Sequence, residues 1–400
     1  MAVSKNTIFS IVVLVLVAGA IFYLESRKID APSSSSGNQN VVIMNEGERV
    51  AEKEKQFEPA KEISTPDGFI NTPSTHSINT QGGEQSRTTG SGQAGPITIS
   101  ELIGKKIILV DFWTYSCINC QRTTPYLNSW HEKYADEGLV ILGIHTPEFE
   151  FEKDIENVQR AVEKFGIQYP VILDNDYSTW QSYKNRYWPR KYLIDIDGFI
   201  VYDHIGEGAY EETEKKIVEL LNEKNLVLGM DAVFLNENPP ADTQNVDFGK
   251  VQSPEMYFGH SRLQHIANTF LRSCLDAVCD FDAEEDGVEL NTFRLGGSWQ
   301  INSEEAVLKS NEGAIVLGFS ASKVNLVAGA LDGAVEAEIY LDGKRVDASN
   351  RGADADENGI VHFGGHDLYN LIDLQGEYGE HVLWIMFKRP GVGAFAFTFG

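Results

Sequence analysis

Two cysteines have a spacing that suits several kinds of chemistry. Cys117 and Cys120 lie three positions apart in FWTYSCINCQRTTPYL, just after an apolar run that ends at Trp113. A zinc site would need two more ligands at compact spacing, but the other cysteines, Cys274 and Cys279, lie about 150 residues away. A disulfide that closes so small a ring constrains the unfolded chain little, which disfavours a purely structural bond. The pair is therefore predicted to be a redox couple.

The predicted secondary structure around the pair supports redox chemistry. Residues 106–113 are typical of a buried strand, and a helix is predicted over residues 120–135. Cys117 then lies at the helix N-terminus, where unpaired N–H groups and the helix dipole favour a thiolate and can lower the pKa to about 7 or below. Cys120 lies one turn into the helix. We predict that Cys117 attacks a substrate disulfide and that Cys120 resolves the mixed disulfide.

The rest of the chain divides into two kinds of pattern. Strands and helices alternate from residue 97 to about 225, which indicates an α/β sandwich around a central sheet. Beyond about residue 252, short apolar runs separated by Gly, Asp and Asn indicate an all-β sandwich of jelly-roll type. The predicted organisation is an α/β domain over 57–228 with a loop insertion at about 72–95, a linker over 229–252 and a β-sandwich over 253–400.

The N-terminal segment predicts export. Residues 8–24 form an uncharged apolar run of 17 residues, near the lower limit for a transmembrane helix. We interpret residues 1–28 as a signal-anchor helix; a cleaved signal peptide is the alternative, because residues 18–20 have the small-x-small form of a cleavage site. Residues 29–56 are polar and are predicted to be a flexible tether. Both interpretations place the remainder outside the cytoplasmic membrane.

Composition limits the partners. The 400-residue chain has a formal net charge of -26, which argues against nucleic acid or anionic lipid as a binding partner. Four cysteines are too few for a disulfide-dense scaffold of this length. The acidic surface is therefore interpreted as a means of keeping the protein dispersed in water.

Several motifs resemble one known family. ILVDFW leading into the CxxC motif, with Pro125 five residues after the second cysteine, resembles thioredoxin. Together with HTPEFEFEKD and NRYWPRKYLID, it resembles the TlpA-like thioredoxin module of DipZ-type proteins, and SPEMYFG, FRLGGSWQI and GVGAFAFTFG resemble the carbohydrate-binding-like C-terminal domain of those proteins. The resemblance implies a thioredoxin fold and a thiol-disulfide oxidoreductase that uses no cofactor beyond the Cys117–Cys120 disulfide.

The resemblance also implies partners. DipZ-type proteins commonly carry a multi-helix CcdA-like segment ahead of the thioredoxin module, and a single apolar run stands in that place here. Electrons are therefore expected from a separate CcdA/DsbD-like membrane donor. The expected substrates are disulfides of exported proteins, with cytochrome c maturation as one example, and cell-wall glycan is an expected further partner of the C-terminal domain.

Residue roles around the couple follow from the resemblance. Asp111 matches the buried carboxylate of thioredoxins, and Glu148 matches the acidic residue of TlpA-like proteins. A desolvated carboxyl group has a raised pKa and can exchange protons near neutral pH. Pro189 matches the loop proline that is cis in thioredoxins and leaves main chain free to pair with an extended substrate. The side chains expected to contact substrate are Trp113, Trp188 and Arg190.

Other candidate residues receive structural interpretations. Thr114 lies three residues before Cys117 as in peroxiredoxins, but Val110 stands where that pattern has proline. CxxC chemistry is therefore preferred, and a thiol peroxidase is the alternative. His145 is interpreted as a structural histidine at a strand edge. Three further predictions are a structural disulfide between Cys274 and Cys279, core positions for Trp299 and Trp384, and a solvated turn over 280–287. No metal site is predicted.

Two functional classes remain after this reasoning. The leading one is a membrane-tethered disulfide reductase, and the second is a glycan-binding envelope protein with an accessory redox domain. The intact CxxC motif and its carboxylates favour the first class. The reducing direction is expected because Asp111 and Glu148 add negative charge, which opposes the stabilised thiolate that a strong oxidant requires.

Overall fold

A computed structural model describes residues 45–72, 96–235, 240, 243–244, 246–269, 272–283, 288–330 and 333–400. The predicted signal-anchor helix and nearly all of the predicted loop insertion lie outside these residues. Within the described part of the chain, no helix is both long enough and apolar enough to span a bilayer. Residues 46–400 form one compact unit, in which we distinguish an α/β domain (residues 46–228) and a β domain (residues 253–400).

The α/β domain contains seven strands and six α-helices among its described residues. In chain order they are α1 (Glu46–Lys53), β1 (Glu58–Pro59), β2 (Gly68–Ile70), α2 (Ile99–Leu102), β3 (Ile107–Trp113), α3 (Ile118–Tyr134), β4 (Leu139–His145), a 3-10 helix (Glu150–Lys153), α4 (Ile155–Lys164), β5 (Val171–Leu173), α5 (Ser178–Ser182), β6 (Arg190–Ile194), β7 (Phe199–Ile205) and α6 (Tyr210–Leu228). The strands form one sheet in the order β1-β7-β6-β3-β4-β5-β2.

The central strand β3 sorts its side chains onto the two faces of this sheet. Its neighbours are β4, which is parallel, and β6, which is antiparallel. Side chains alternate between faces along a strand, so Leu109 packs with α3 and α6, whereas Val110 packs on the opposite face near α2 and α5. Asp111 therefore lies on the same face as α3, the helix that carries Cys120.

The predicted flexible tether ends earlier than expected. Residues 46–53 form helix α1, which lies within the predicted linker over 29–56. Arg49 and Lys53 lie one turn apart on this helix, and both bind Asp197 in the turn between β6 and β7, at 2.6 and 2.9 Å. These ion pairs attach α1 to the α/β domain, so residues 46–53 belong to that domain and not to a free linker.

The β domain is all-β, as predicted. Its elements are β8 (Met256–Tyr257), a short 3-10 helix (Arg272–Cys274), β9 (Val278–Phe281), β10 (Thr292–Ile301), β11 (Ala306–Leu308), β12 (Gly313–Ala321), β13 (Lys323–Ala330), β14 (Val335–Leu341), β15 (Lys344–Arg345), β16 (Ile360–Phe363), β17 (Asp367–Asp373), β18 (Gly379–Phe387) and β19 (Val392–Phe399). All of these strands belong to one twelve-stranded sheet.

Strand β10 makes the sheet curl around its core. Its first half pairs with β12 and its second half with β9 and β11, and the change occurs between Gly296 and Gly297. Gly297 has a φ of +93°, and a Cβ there would lie 2.7 Å from the carbonyl oxygen of Glu312, so glycine suits this bend. Trp299 lies fully inside the core, as predicted. Trp384 differs, because it is half-buried on the outer face of β18.

The second cysteine pair lies at the start of the β domain. Cys274 and Cys279 are joined by a disulfide bond in the structure, with their Cα atoms 5.6 Å apart. Cys279 lies on β9 and pairs with Trp299 of β10. The bond therefore links the chain before β9 to the edge of the curled sheet, next to its core.

Candidate active site

The CxxC motif begins helix α3. Cys117 is the residue that caps the N-terminus of the helix, and its Sγ accepts a hydrogen bond from the N–H of Cys120 at 3.3 Å. Both cysteines are free thiols; Cys117 is partly exposed, whereas Cys120 is only 2% exposed. The helix N-terminus favours negative charge at Cys117. Of the two thiols, Cys117 is the one that an external disulfide can reach.

Cys120 is held as a thiol by its surroundings. Burial raises its pKa well above the ordinary value, and the hydrogen bond and charge of Cys117 and the charge of Asp111 raise it further. A protonated Cys120 cannot compete with Cys117 for substrate. The geometry therefore distinguishes the two sulfur atoms, because that of Cys117 is partly exposed and that of Cys120 is buried and held as a thiol.

A buried acid–base pair lies beneath the motif. Asp111 on β3 pairs in register with Lys191 on β6, and both side chains are buried. Burial raises the pKa of Asp111 to about 7, although the positive charge of Lys191 opposes the rise. Oδ1 of Asp111 has no hydrogen-bond partner among the described residues. Asp111 can therefore accept a proton near neutral pH. Its partner Lys191 is not among the residues predicted from the sequence.

Glu152 is a second carboxylate at the site that sequence reasoning missed. It is fully buried and accepts hydrogen bonds from Oγ and N–H of Ser116, at 2.6 and 3.3 Å. It also accepts from the N–H groups of Glu148 and Phe149. Burial raises its pKa, and the nearby Glu148 charge adds to that rise, while the hydrogen bonds oppose it. Glu152 thus holds the residue that immediately precedes Cys117.

Glu148, the acidic residue expected at the site, points elsewhere. Its Oε1 accepts hydrogen bonds from Arg262 at 2.7 Å and from the hydroxyl group of Tyr257 at 3.0 Å, both in the β domain. Only its main-chain N–H contacts Glu152. The structure therefore brings Cys117, Cys120 and Asp111 together, and it places the carboxylate of Glu148 in a contact between domains.

The loop before β6 carries the expected proline. The Trp188–Pro189 peptide bond is cis. The Trp188 indole donates a hydrogen bond to the carbonyl oxygen of Thr146 at 3.0 Å and lies 4.4 Å from the Trp180 ring, measured between centroids. Within the described part of the chain, neither the N–H nor the C=O of Trp188 has a main-chain partner. These groups are available to pair with an extended chain.

Two of the residues expected to contact substrate have other partners in the structure. Trp113 is 2% exposed, because it is the last residue of β3 on the core-facing side, and its indole packs edge-on against the His145 ring at 5.1 Å. Arg190 precedes Lys191 on β6, so its side chain emerges on the opposite face of the sheet from Asp111. It forms an ion pair with Asp203 at 2.6 Å.

His145 is a buried residue and not an edge histidine. Its ring stacks on that of Tyr115 at 5.8 Å between centroids, and its Nε2 lies 3.4 Å from Oγ1 of Thr114. Burial lowers the pKa of His145 to about 3, so the imidazole is neutral at physiological pH. The histidine therefore supports the strand end before the motif without adding charge.

The two residues between the cysteines are each held in place. Ile118 packs with Phe149 and with residues of the β domain. Oδ1 of Asn119 accepts a hydrogen bond from Arg122 at 2.7 Å, and Arg122 forms a two-armed ion pair with Glu207. The active-site turn is thus fixed by contacts with both domains.

One cluster of carboxylates lies away from the motif. Asp195, Asp197 and Glu223 have oxygen atoms close enough to share a metal ion. Lys53 already contacts all three, at 2.6, 2.9 and 2.5 Å respectively. Because an ammonium group occupies the centre of the cluster, we interpret it as the attachment point of helix α1.

Comparisons with known proteins agree with this geometry. A family model described as the AhpC/TSA family matches residues 84–203, and one described as "Thioredoxin like C-terminal domain" matches residues 253–400. Protein DipZ of Mycobacterium tuberculosis is 37% identical over 249 residues, which are 62% of this chain and 34% of that protein. The chain thus spans about a third of the length of this relative.

Two shorter relatives each match about a third of this chain. Thiol-disulfide oxidoreductase ResA of Halalkalibacterium halodurans is 30% identical over 125 residues, 31% of this chain and 67% of ResA. Thiol-disulfide oxidoreductase YkuV of Bacillus subtilis is 29% identical over 129 residues, 32% of this chain and 86% of YkuV. The chain belongs to the thioredoxin-like thiol-disulfide oxidoreductases, and its α/β domain has the thioredoxin fold.

Proposed function

We propose that the protein reduces disulfide bonds of other proteins through the Cys117–Cys120 couple. The observation that carries this proposal is the arrangement of a partly exposed cysteine at a helix N-terminus, a buried cysteine one turn later and a buried carboxyl group whose pKa is near 7. Two relatives named thiol-disulfide oxidoreductases support the same chemistry.

The reaction proceeds in two exchange steps. The Cys117 thiolate attacks one sulfur of a substrate disulfide, which forms a mixed disulfide and releases the other substrate sulfur as a thiolate. Cys120 then gives its proton to Asp111 and attacks Sγ of Cys117. This step forms the Cys117–Cys120 disulfide and releases the second substrate thiolate, so two electrons pass to the substrate. No cofactor takes part.

We further propose that this reaction takes place outside the cytoplasmic membrane. The apolar run over residues 8–24 is long enough to serve as an anchor. The Cys274–Cys279 bond adds independent support, because disulfides persist in oxidising compartments and are rare in the cytosol. A separate CcdA/DsbD-like membrane protein would return the oxidised couple to the dithiol form, and exported proteins, including apocytochrome c, would be the substrates.

The two alternative functions have less support. A thiol peroxidase would use Thr114 beside Cys117, but the Thr114 side chain is fully buried and its hydroxyl group contacts His145. A glycan-binding envelope protein would use the β domain, which we propose to be a jelly-roll sandwich of carbohydrate-binding type. Trp299, which could stack on a sugar ring if it were exposed, lies inside the core of this domain.

Trapping of mixed disulfides tests the proposed function. The full-length Cys120→Ser variant retains the attacking thiol but lacks the resolving one, so it should accumulate covalent complexes with envelope proteins in cells. Cys117→Ser is the matched control and should trap nothing. Equal yields of captured proteins from the two variants would contradict the proposal.

A further inference from the structure

The β domain covers the residue that follows the attacking cysteine. Ile118 is the first residue of α3, yet it is only 7% exposed. The other five buried members of its apolar cluster are Phe149 and four residues of the β domain: Val327, Leu368, Phe395 and Ala396. The β domain of the same protein therefore already covers the surface next to Cys117 on the side of Ile118.

An irregularity in β19 directs Phe395 toward the active site. Consecutive residues Val327 and Ala328 of β13 pair with Ala396 and Ala394 of β19, so Phe395 is an extra residue in β19. Such a bulge changes the direction of a side chain, and bulges are common beside active sites. Phe397 remains in the core of the β domain, whereas the Phe395 ring lies 5.3 Å from that of Phe149 and 4.8 Å from that of Phe151, between centroids.

Polar contacts surround this apolar centre. Arg262 forms an ion pair with Glu148 at 2.7 Å, and its guanidinium group lies 3.8 Å from the centroid of the Tyr257 ring. The Tyr257 hydroxyl group donates to the same Glu148 carboxylate at 3.0 Å. Two further contacts across the interface are Glu150 N–H to Glu304 at 2.9 Å and Lys164 to Asp367 at 2.6 Å. The interface thus combines apolar burial with charge pairing.

The loop that carries the cis-proline is partly exposed. Tyr187 is 49% exposed, and the Trp188 ring packs at a tilt against Trp180 of its own domain. The free N–H and C=O groups of Trp188 can pair with an extended chain as an edge strand does. An extended substrate segment can therefore pair with the Tyr187–Pro189 loop.

We infer that the β domain selects the substrates of Cys117, admitting disulfides in extended or unfolded segments and excluding those on folded protein surfaces. An extended segment fits along Trp188, whereas a folded surface collides with the wall that the β domain forms where Val327, Leu368 and Phe395 pack over Ile118 and Phe149. Arg262 and Phe395 are the residues that hold this wall against the active site. The selection concerns which disulfide reaches Cys117, so it rests on the proposed reductase function.

Alkylation of Cys117 measures the wall independently of any reductase activity. Reduced full-length protein is treated with N-ethylmaleimide or with a large reagent, the same maleimide attached to the surface of a small folded protein, and mass spectrometry identifies the modified cysteine. Arg262→Ala and Phe395→Ala should each raise the alkylation rate with the large reagent by about tenfold. This factor corresponds to a loss of about 1.4 kcal/mol in the free energy with which the β domain docks on the α/β domain. The alkylation rate with the small reagent should stay within about twofold of the wild-type rate.

Matched controls use similar contacts away from the interface. Arg345→Ala removes an arginine that pairs with Glu338 at 2.6 Å and lies over the Tyr340 ring, and Trp384→Ala removes an aromatic ring from the outer face of β18. Both controls should leave the two alkylation rates unchanged. Thermal unfolding of each variant checks its fold, and if Phe395→Ala does not fold, Arg262→Ala decides.

Reduction assays then test the selection itself. The substrates are native insulin and an unstructured peptide closed by one disulfide. The wild-type protein should reduce the peptide faster, and Arg262→Ala and Phe395→Ala should accelerate insulin reduction about tenfold while peptide reduction stays constant. Equal effects on both substrates, or alkylation rates that do not change in either variant, would overturn the inference. Normal alkylation of Cys117 without reduction of either substrate would instead overturn the proposed reductase function.

Discussion

Asp111 of β3 and Lys191 of β6 are register partners on adjacent antiparallel strands, and both side chains are buried on the face of the sheet that α3 covers. Burial raises the pKa of Asp111 to about 7 and lowers the pKa of Lys191. The charge of each residue opposes the shift of the other. The pair therefore places a proton acceptor beneath Cys120 without leaving a buried charge unpaired.

Asp111→Asn should stabilise the protein in a pH-dependent way. The Asp111 pKa is about 7 in the folded state and about 3.9 in an unfolded chain. Between those values the folded state binds more protons, so the stability of the wild-type protein falls as pH rises from about 4 to about 7. Because Asn does not titrate, its advantage should grow across this window by about 4 kcal/mol. Denaturant unfolding of both proteins at pH 5 and pH 7.5 should show about 2.5 kcal/mol of this change, and parallel pH profiles would contradict the buried acid.

The two active-site thiols should differ in reactivity. Cys117 is partly exposed at the helix N-terminus, whereas Cys120 is buried and its pKa is raised. Iodoacetamide at pH 7 should therefore modify Cys117 at least about tenfold faster than Cys120. Peptide mapping after timed quenching gives both rates. Equal rates would remove the assignment of Cys117 as the attacking residue.

Glu152 and Glu148 should respond differently to the same substitution. The Glu152 carboxylate accepts four hydrogen bonds, two of them from Ser116. In Glu152→Gln one of the two oxygen atoms becomes an NH₂ group, which donates and would face those same donor groups. We expect a loss of about 1–3 kcal/mol in unfolding free energy and a changed rate of Cys117 alkylation by iodoacetamide. Glu148→Gln is the comparison variant, because it alters the contact with Arg262 but removes none of the hydrogen bonds to Glu152, and it should change that rate less.

A larger effect of Glu148→Gln than of Glu152→Gln on the Cys117 alkylation rate would identify Glu148 as the active-site carboxylate. If Glu148→Gln changed the Cys117 alkylation rate and Glu152→Gln did not, the residue expected from the family resemblance would act at the site in spite of its contact with the β domain. The hydrogen bonds of Glu152 would then have no bearing on Cys117.

The second cysteine pair should act as a structural staple. Non-reduced peptide mapping of exported protein should find Cys274 bonded to Cys279 and to no other cysteine. The double variant Cys274→Ser, Cys279→Ser should lose about 2 kcal/mol of unfolding free energy, the chain-entropy effect of so small a ring. Its rate of peptide disulfide reduction should equal that of the wild-type protein. A slower reduction would give this pair a part in electron transfer.

The sequence predicts the parts of the site that depend on local order. Cys117, Cys120 and Asp111 lie within one strand-to-helix junction, so their spacing alone brings them together. Lys191 depends on the register between β3 and β6, which no local pattern determines, although a lysine within the apolar run KYLI was a usable signal. The alternation of β3 could have predicted the burial of Trp113, since its position faces the core together with Leu109.

Other features depend on contacts between distant segments. HTPEFEFE offers three glutamates, and only the turn into the 3-10 helix determines that Glu152 faces Ser116 while Glu148 faces Arg262. The cover over Ile118 depends on a bulge at Phe395, more than 270 residues later in the chain. Packing between domains is not encoded in local periodicity, so sequence reasoning found the two domains but not the contact between them.

The reduction potential of the Cys117–Cys120 couple tests the central claim most directly. The charge that Asp111 carries when it is deprotonated raises the pKa of Cys120 and so opposes the stabilised thiolate that a strong oxidant requires. Equilibration of the full-length protein with glutathione or dithiothreitol buffers should give a value near the reducing limit of about -270 mV. A value near the oxidising limit of about -120 mV, a difference of about 7 kcal/mol, would make the protein a disulfide donor and contradict its assignment as a reductase.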